Sequence, residues 1–401
     1  GFVPKLWKLA NVTIIPKVNV PKFVKTDLRP ISLTPVLSKI LESFISEWLW
    51  DSVKDKLHNN QYGGIPGLST GDALVKMVHK WQTALHNHEA ARILFLDYRK
   101  AFDLVDHNIL ISKLVSYNVP NFIVRWIGSF LSNRLQRVKL GEEVSDWIKL
   151  NGSVPQGSTL GPLLFVIMID DLQVNSDGDI FKFMDDSTVS ETIPKSKNSK
   201  MQELADSVST WTEINNMEIN AIKTKEMLMC SLQVSPIYPP ININNSMIES
   251  VNKYKLLGLI ITDDLTWNNH TNEICNKANK RLYYLILLRR AGLSQQDLMT
   301  YYKQIIRPVL EYCCQVWHNN LSKTQSDKIE NIQDRAIKII SSAPNNGCVV
   351  NDLESLKTRR EKLCIKYFNK IRTKQHILSD LLPKEYDHGY DTRNKTLLPK
   401  P

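Results

Sequence analysis

Asp185 and Asp186 stand side by side in Phe183-Met184-Asp185-Asp186, and adjacent carboxylates at a tight turn restrict their surroundings more than any other feature of the chain. Two like charges about 4 Å apart repel by roughly 4 kcal/mol at an effective dielectric of 20. A bound cation removes that cost. The flanks Ile180-Phe181-Lys182-Phe183-Met184 and Ser187-Thr188-Val189-Ser190 read as two short strands with the acids at a hairpin tip, where both side chains can reach one ion. Taken alone, the pair reads first as a solvated turn. Asp170-Asp171 and Asp263-Asp264 show how common such pairs are.

A second acidic segment changes that reading. Arg92-Ile93-Leu94-Phe95-Leu96-Asp97 is an apolar strand ending in an acid, followed by Tyr98-Arg99-Lys100-Ala101-Phe102-Asp103-Leu104-Val105-Asp106-His107. Another strand could bring Asp97 beside Asp185, giving the carboxylate cluster that two-metal phosphoryl transfer requires. Between the two lies Gly152-Ser153-Val154-Pro155-Gln156-Gly157-Ser158-Thr159-Leu160-Gly161-Pro162-Leu163, a turn-rich loop running into a helix. Its glycines let the backbone approach a ligand closely, and Gln156 offers hydrogen bonds there.

These three segments, in this order, resemble the palm motifs of reverse transcriptases, most closely those of non-long-terminal-repeat retrotransposons. Upstream, Trp7-Lys8 to Ile14-Ile15-Pro16-Lys17 and Leu28-Arg29-Pro30-Ile31-Ser32-Leu33 look like the fingers hairpin of that family. Gln61-Tyr62-Gly63-Gly64-Ile65-Pro66-Gly67-Leu68-Ser69-Thr70 is similar to its Gly-rich segment, although the family more often has Phe and Arg where this chain has Gly64 and Leu68. Downstream, Asn220 to Lys225 resembles the next palm motif, and Tyr254-Lys255-Leu256-Leu257-Gly258 the primer-gripping turn.

The resemblance implies an α+β, right-hand polymerase: fingers and fingers/palm helices over 1–90, a palm with an antiparallel sheet over 91–268, a helical thumb-like region over 269–382, and a poorly ordered tail over 383–401. It also implies the chemistry. Asp97 and Asp185 would hold two Mg²⁺ ions, with Mn²⁺ as the alternative, Asp186 would assist, and the backbone carbonyl of Tyr98 would complete a site. Arg29 would clamp the triphosphate, because a guanidinium forks onto phosphate oxygens, with Lys17 in support. Lys223 matches the position of a general acid for the departing pyrophosphate, and a plain surface lysine is a close competitor. Phe102 would exclude the ribose 2′-hydroxyl, Gln156 and Gly157 would line nucleotide and template, and Leu257-Gly258 would steer the primer end. Asp103 and Asp106 read as caps or ion-pair partners instead of ligands.

Periodicity supplies the helices. Leu74, Val78 and Trp81 form one apolar stripe, Ile123, Trp126, Ile127 and Phe130 a second, and Leu204, Val208 and Trp211 a third. Ile222 to Cys230 and Lys255 to Thr262 read as strands. From Thr271 onward the pattern is helical, through Ile274, Ala278, Leu282 and Leu285, then Leu298 to Val309, then Ile329, Ile332, Ala336 and Ile340, with Gly292 a C-cap. Trp267, Tyr283 and Tyr284 could stack on bases, but core packing is the simpler expectation for each.

Charge is unevenly placed. Residues 1–268 carry 28 Lys and Arg against 28 Asp and Glu, whereas residues 269–401 carry 23 against 13, so the formal excess of +10 is entirely C-terminal. A basic helical region beside a neutral half suggests a footprint for nucleic acid, with solvated helix faces as the plainer explanation. The six cysteines, Cys230, Cys275, Cys313, Cys314, Cys348 and Cys364, form no C-x-x-C pair, which points to a reducing compartment and against a zinc knuckle. No apolar run approaches the roughly 20 residues that span a bilayer, so no membrane partner and an intracellular location, nuclear or cytoplasmic, are expected. A start at Gly1, almost directly on the fingers-like segment, is what a fragment would show.

The expected activity is RNA-directed DNA synthesis on an RNA template and a DNA primer from deoxynucleoside triphosphates. A viral RNA-dependent RNA polymerase shares the palm, but Phe102, the Pro-Gln-Gly loop and Phe-Met-Asp-Asp in place of Gly-Asp-Asp speak against it. A non-catalytic nucleic-acid-binding relic is the other competitor. Oligomeric state is not legible in these residues.

Overall fold

In the computed structural model, residues 2–231, 236–343, 353–373 and 376–383 are described. The expected tail beyond Pro383 and Cys348 therefore lie outside the described residues. The chain divides into two compact units, residues 1–69 with 88–251, and residues 70–87 with 252–401.

The first unit is α+β, as expected. Strands β1 (Leu9–Pro16) and β2 (Leu28–Leu33) form the fingers-like hairpin, antiparallel with Ile15 opposite Arg29. Helix α1 (Val36–Val53) follows, and the next helix, α2 (Thr70–His86), belongs to the second unit. Strand β3 (Ala90–Leu96) is buried along its whole length, as its continuous apolar run requires of a central strand. Helices α3 (His107–Ser116) and α4 (Asn121–Leu131) come next, and the stripe Ile123, Trp126, Ile127 and Phe130 of α4 is core. Strand β4 (Leu135–Leu140) runs parallel to β1 and carries the short strands β5 (Glu143–Val144) and β6 (Ile148–Lys149).

Helix α5 (Gly161–Asp170) is apolar on every side and buried from Leu163 to Asp170. A helix without a polar face must lie inside. Strands β7 (Asp179–Phe183) and β8 (Asp186–Ile193), helix α6 (Met201–Ile214), strand β9 (Lys225–Met229) and the small strands β10 (Asn242–Ile243), β11 (Ser246–Met247) and β12 (Glu249–Ser250) complete the unit. The second sheet has the order β12-β9-β3-β8-β7, with β3 antiparallel to both β8 and β9. The two acid-bearing segments therefore end at the same edge of adjacent strands.

The second unit is mainly helical. The stretch Lys255 to Thr262, expected as one strand, is instead a hairpin of β13 (Lys253–Leu256) and β14 (Leu259–Thr262). Leu257 (φ 44°) and Gly258 (φ 91°) turn the chain back, a left-handed pair that a glycine makes affordable. Strand β14 packs on helix α7 (Asn268–Arg290), and both lie in the second unit, which takes up the chain again at Asn252. Ile274, Ala278, Leu282 and Leu285 of α7 are buried, and Gly292 (φ 86°) donates its N–H to the Arg289 carbonyl at 3.0 Å to close the helix. Trp267 is core, as expected. Tyr283 and Tyr284 are not: they are 58% and 57% exposed, on the solvent side of α7.

Helix α8 (Gln295–Tyr301) passes through a π-helical turn, Tyr302–Ile306, into α9 (Arg307–Glu311). Pro308, which has no N–H to give, follows that turn. Helices α10 (Cys314–Trp317), α11 (Lys323–Ser341) and α12 (Leu356–Ile371) complete the unit. Ile329, Ile332, Ala336 and Ile340 bury the face of α11 that the periodicity marked, behind a Ser322/Gln325 capping box.

Candidate active site

The register of β3, β8 and β7 gathers the acids. Leu96 pairs with Ser187 and Phe183 with Asp186, so the β7–β8 turn is the dipeptide Met184-Asp185, and Asp97 follows directly at the end of β3. Met184 sits at φ 58°, in the left-handed region that a two-residue hairpin turn demands and an unbranched side chain tolerates at a cost. The turn is supported from behind. A Cβ on Gly63 would fall 2.4 Å from the Met184 nitrogen, and the Tyr62 N–H donates to the Lys182 carbonyl at 2.8 Å. The Gly-rich segment is thus a backing for the acid turn, a role its sequence did not disclose.

The carboxylates feel one another. Partial burial, then repulsion from Asp185 and Asp97, pushes Asp186 up to about 6, although its side chain still touches solvent. Burial also raises Asp97, and Asp185 adds to the rise, while Lys223, Asn220 and Lys17 pull the other way. Among the described residues, no three acidic, imidazole or thiol groups close around a single point. The acids are electrostatic neighbours at a sheet edge, not a finished cage. Their donor chemistry, hard carboxylate oxygens in mutual repulsion, fits a divalent cation such as Mg²⁺.

Beside β9, the Asp97 N–H donates to Thr224 Oγ1 at 3.2 Å and the Asn220 N–H donates to the Asp97 carbonyl at 2.8 Å. Arg99 N–H donates to the Glu218 carbonyl at 2.8 Å, which completes a bridge between Tyr98 and Ile219. That bridge uses neither the N–H nor the carbonyl of Tyr98. The Tyr98 ring is buried, with its hydroxyl beside Ser187. Lys223 Nζ lies 3.9 Å from Asp97 Oδ2, both groups being accessible to water. Asn220 was missed as a neighbour of Asp97; the only signal was its place in the motif carrying Lys223.

The loop before α5 docks on the fingers strand. The Ser32 N–H donates to the Gln156 carbonyl at 2.7 Å, and a Cβ on Gly157 (φ 115°) would stand 2.5 Å from the Ser32 carbonyl. Only glycine permits that approach. Gly157 is therefore a seam between loop and β2, while the Gln156 amide reaches toward Asp103 at 3.5 Å. Arg29 is exposed on that same β2. Lys17, whose N–H donates to the Asp27 carbonyl at 2.7 Å, is near enough to draw down both Asp97 and Asp103. Phe102 is half-buried and stacked on the core ring of Phe165, centroids 4.4 Å apart at 19°. Asp106 caps α3, receiving the N–H groups of Asn108 (2.8 Å) and Ile109 (3.2 Å), as expected. Leu257 and Gly258 lie in the second unit, where the Leu257 carbonyl accepts from the Tyr312 hydroxyl at 3.0 Å.

Residues 15–261 match the protein family described as reverse transcriptase (RNA-dependent DNA polymerase). The chain is 29% identical over 361 residues to an RNA-directed DNA polymerase from the mobile element jockey of Drosophila melanogaster, covering 86% of this chain and 39% of that protein. It is 28% identical over 351 residues to a Drosophila melanogaster protein named "Probable RNA-directed DNA polymerase from transposon X-element", covering 85% and 38%. The chain thus spans about two fifths of the length of these relatives. Among solved structures, a Candida tropicalis telomerase in complex with a fragment of telomeric RNA aligns over 95% of this chain and 65% of its own, at 12% identity and a TM-score of 0.49.

Proposed function

The chain belongs to the reverse transcriptase family, and from that premise we propose that it is the RNA-directed DNA polymerase portion of a non-long-terminal-repeat mobile element, extending a DNA primer on an RNA template from deoxynucleoside triphosphates. The observation that carries the reading is the convergence of Asp97, Asp185 and Asp186 at one sheet edge, where Asp185 raises the cost of charge on Asp97 and both raise it on Asp186. Positive charge supplied from outside resolves that cost. Bound Mg²⁺ would supply activation of the primer 3′-hydroxyl and neutralisation of the leaving pyrophosphate.

The chain's own groups then have distinct tasks. Asp97 and Asp185 hold the cations, Asp186 tightens the set, and the Tyr98 carbonyl is placed to complete it. Arg29 and Lys17, on the fingers hairpin, take the triphosphate charge. Lys223, beside Asp97, is placed to return a proton to pyrophosphate. Phe102, half-buried against Phe165 and five residues after Asp97, discriminates against ribose. In this reading the first unit holds fingers and palm, and the second holds the thumb, whose basic helices and exposed Tyr283 and Tyr284 meet the phosphates and bases of the template–primer. Among the described residues no helix is long and apolar enough to cross a membrane.

Primer extension on an RNA template, with deoxynucleotides and ribonucleotides supplied separately, tests the proposal. Extension with deoxynucleotides, dependent on Mg²⁺ or Mn²⁺, is expected. Extension only with ribonucleotides returns the RNA polymerase, and binding without extension returns a relic.

A further inference from the structure

We infer that a buried pair of opposite charges, Glu42 and Lys182, clamps α5 at its two ends and so registers the Gln156 loop against the acid-bearing hairpin; both would be positioning residues for the reaction proposed above, on which this inference rests. Helix α5 begins at Gly161 with no side-chain cap from its own N-cap residue, Leu160. Its entry turn is held from another helix. Glu42 of α1, 0% exposed, accepts the N–H groups of Thr159 (2.8 Å) and Leu160 (3.3 Å) on Oε2 and the Ser38 hydroxyl (2.8 Å) on Oε1. A buried carboxylate is tolerated only with such bonds, and a helix N-terminus is where an anion gains most.

The other end is the mirror image in charge. Lys182 of β7, also 0% exposed, donates to the carbonyls of Ile169 (3.1 Å), Asp170 (2.5 Å) and Leu172 (3.0 Å). All three ammonium protons are thereby used on the carbonyl end of the helix. Lys113 adds to that end, donating to the Met168 carbonyl and to Asp171 Oδ1, both at 2.6 Å.

The placement of these contacts along the chain gives them a consequence beyond stability. Glu42 grips residues three and four after Gln156, and Lys182 stands three before Asp185. A rigid rod of about 15 Å, ten residues at 1.5 Å each, therefore joins the nucleotide loop to the metal-binding turn. Moving either end displaces one functional loop against the other. Burial from Leu163 to Asp170 leaves the rod no soft side on which to absorb the shift.

The clamp predicts separable kinetic signatures. Glu42→Ala frees the loop end and should raise KM for the deoxynucleotide about tenfold or more while kcat changes by less than about threefold. Lys182→Met frees the acid end and should lower kcat about tenfold or more with KM near the parent value. Glu42→Gln keeps one acceptor oxygen and should restore most of the KM. On substrate-free protein, amide exchange should rise about tenfold or more over residues 154–164 in Glu42→Ala, with β3 and β9 unchanged. Exchange that rises everywhere, or kcat falling with the folded fraction at constant KM in both variants, overturns the inference. If Glu42→Ala does not fold, Glu42→Asp, whose shorter side chain cannot reach the Thr159 and Leu160 N–H groups from the same backbone position, carries the same two readouts in the same direction. A parent protein inert in primer extension that still shows the local exchange effect defeats the polymerase reading and not the clamp.

Discussion

In the second unit, Asp72 of α2 is fully buried yet accepts the Tyr367 hydroxyl at 2.8 Å, with His376 at 3.4 Å and Lys370 at 3.9 Å. Glu311 there is held by Arg359 at 2.6 Å and Arg307 at 3.8 Å. At the sheet edge of the first unit, Asp97, Asp185 and Asp186 are more accessible and face one another, and only Asp97 has a close cation, the water-exposed Lys223 at 3.9 Å. The contrast separates two uses of a carboxylate: where the chain brings its own donors and cations the acid holds structure together, and where it leaves acids in mutual repulsion, in the function proposed above, it holds a place for a cation.

The largest effect should come from testing the sheet-edge set. Asp185→Asn removes repulsion, so the melting temperature should hold or rise, while primer extension falls by at least about 10²–10³-fold. Near-parent extension in Asp185→Asn or Asp97→Asn would break the contrast at its centre. Asp72→Ala should do the reverse, costing up to about 3 kcal/mol in denaturant unfolding because it removes the charged acceptor of the Tyr367 hydroxyl and the carboxylate that faces Lys370 and His376. A loss under about 1 kcal/mol would mean that Asp72 is not structural in this sense.

His270 sharpens the comparison, being a buried base in the second unit with no acid bonded to it. It lies between Trp267 and Trp317, ring centroids 6.0 and 5.4 Å away, and its Nδ1 accepts the Ile260 N–H at 3.4 Å. Burial, then Lys277, lowers it to about 4 against the weaker opposing pull of Glu273. The unfolded chain, titrating at the ordinary 6.5, binds the proton more readily, so stability is whole above that pH and is lost as pH falls toward 4. The loss should reach roughly 3 kcal/mol, read as the difference in unfolding free energy between parent and His270→Phe from pH 7 to 4. Identical pH profiles would contradict it.

The smallest change is expected at Phe102. Phe102→Val should raise ribonucleotide over deoxynucleotide kcat/KM by about 10–100-fold, in keeping with the 1–3 kcal/mol that a pocket of this kind discriminates. Its stacking on Phe165 means that some stability will fall too, so the ratio decides and the melting temperature serves as control. A constant ratio with a lower melting temperature would make Phe102 core alone.

Much of this is legible in the sequence. The acid turn, β3 and the stripes of α4, α6 and α11 follow from neighbours within a few residues, and local patterns report local geometry. Even Glu42 left a trace, since it falls on the buried stripe of Ser38, Ile45, Leu49 and Val53. That trace was masked by Val36, Leu37, Ile40, Phe44 and Trp48, apolar residues on the opposite, exposed face of the same helix. Lys182 could not be told from a solvated lysine, because an alternating strand shows which residues share a face and not what covers it. Tyr283 and Tyr284 failed for the same reason: an aromatic inside a helix reads as core until the neighbours are known.

The sequence by itself determined the family and the α+β class and singled out the three acids, all of which rest on residue types at short spacings. Tertiary structure alone decided that Asp97 and Asp185 share a sheet edge, that Gly157 presses on Ser32, and that Glu42 and Lys182 close the two ends of one helix. Those facts join residues up to 125 positions apart, Ser32 and Gly157 being the widest pair. Whether a charge is paired, repelled or solvated depends on what other segments bring within a few ångströms, and no local pattern encodes that distance.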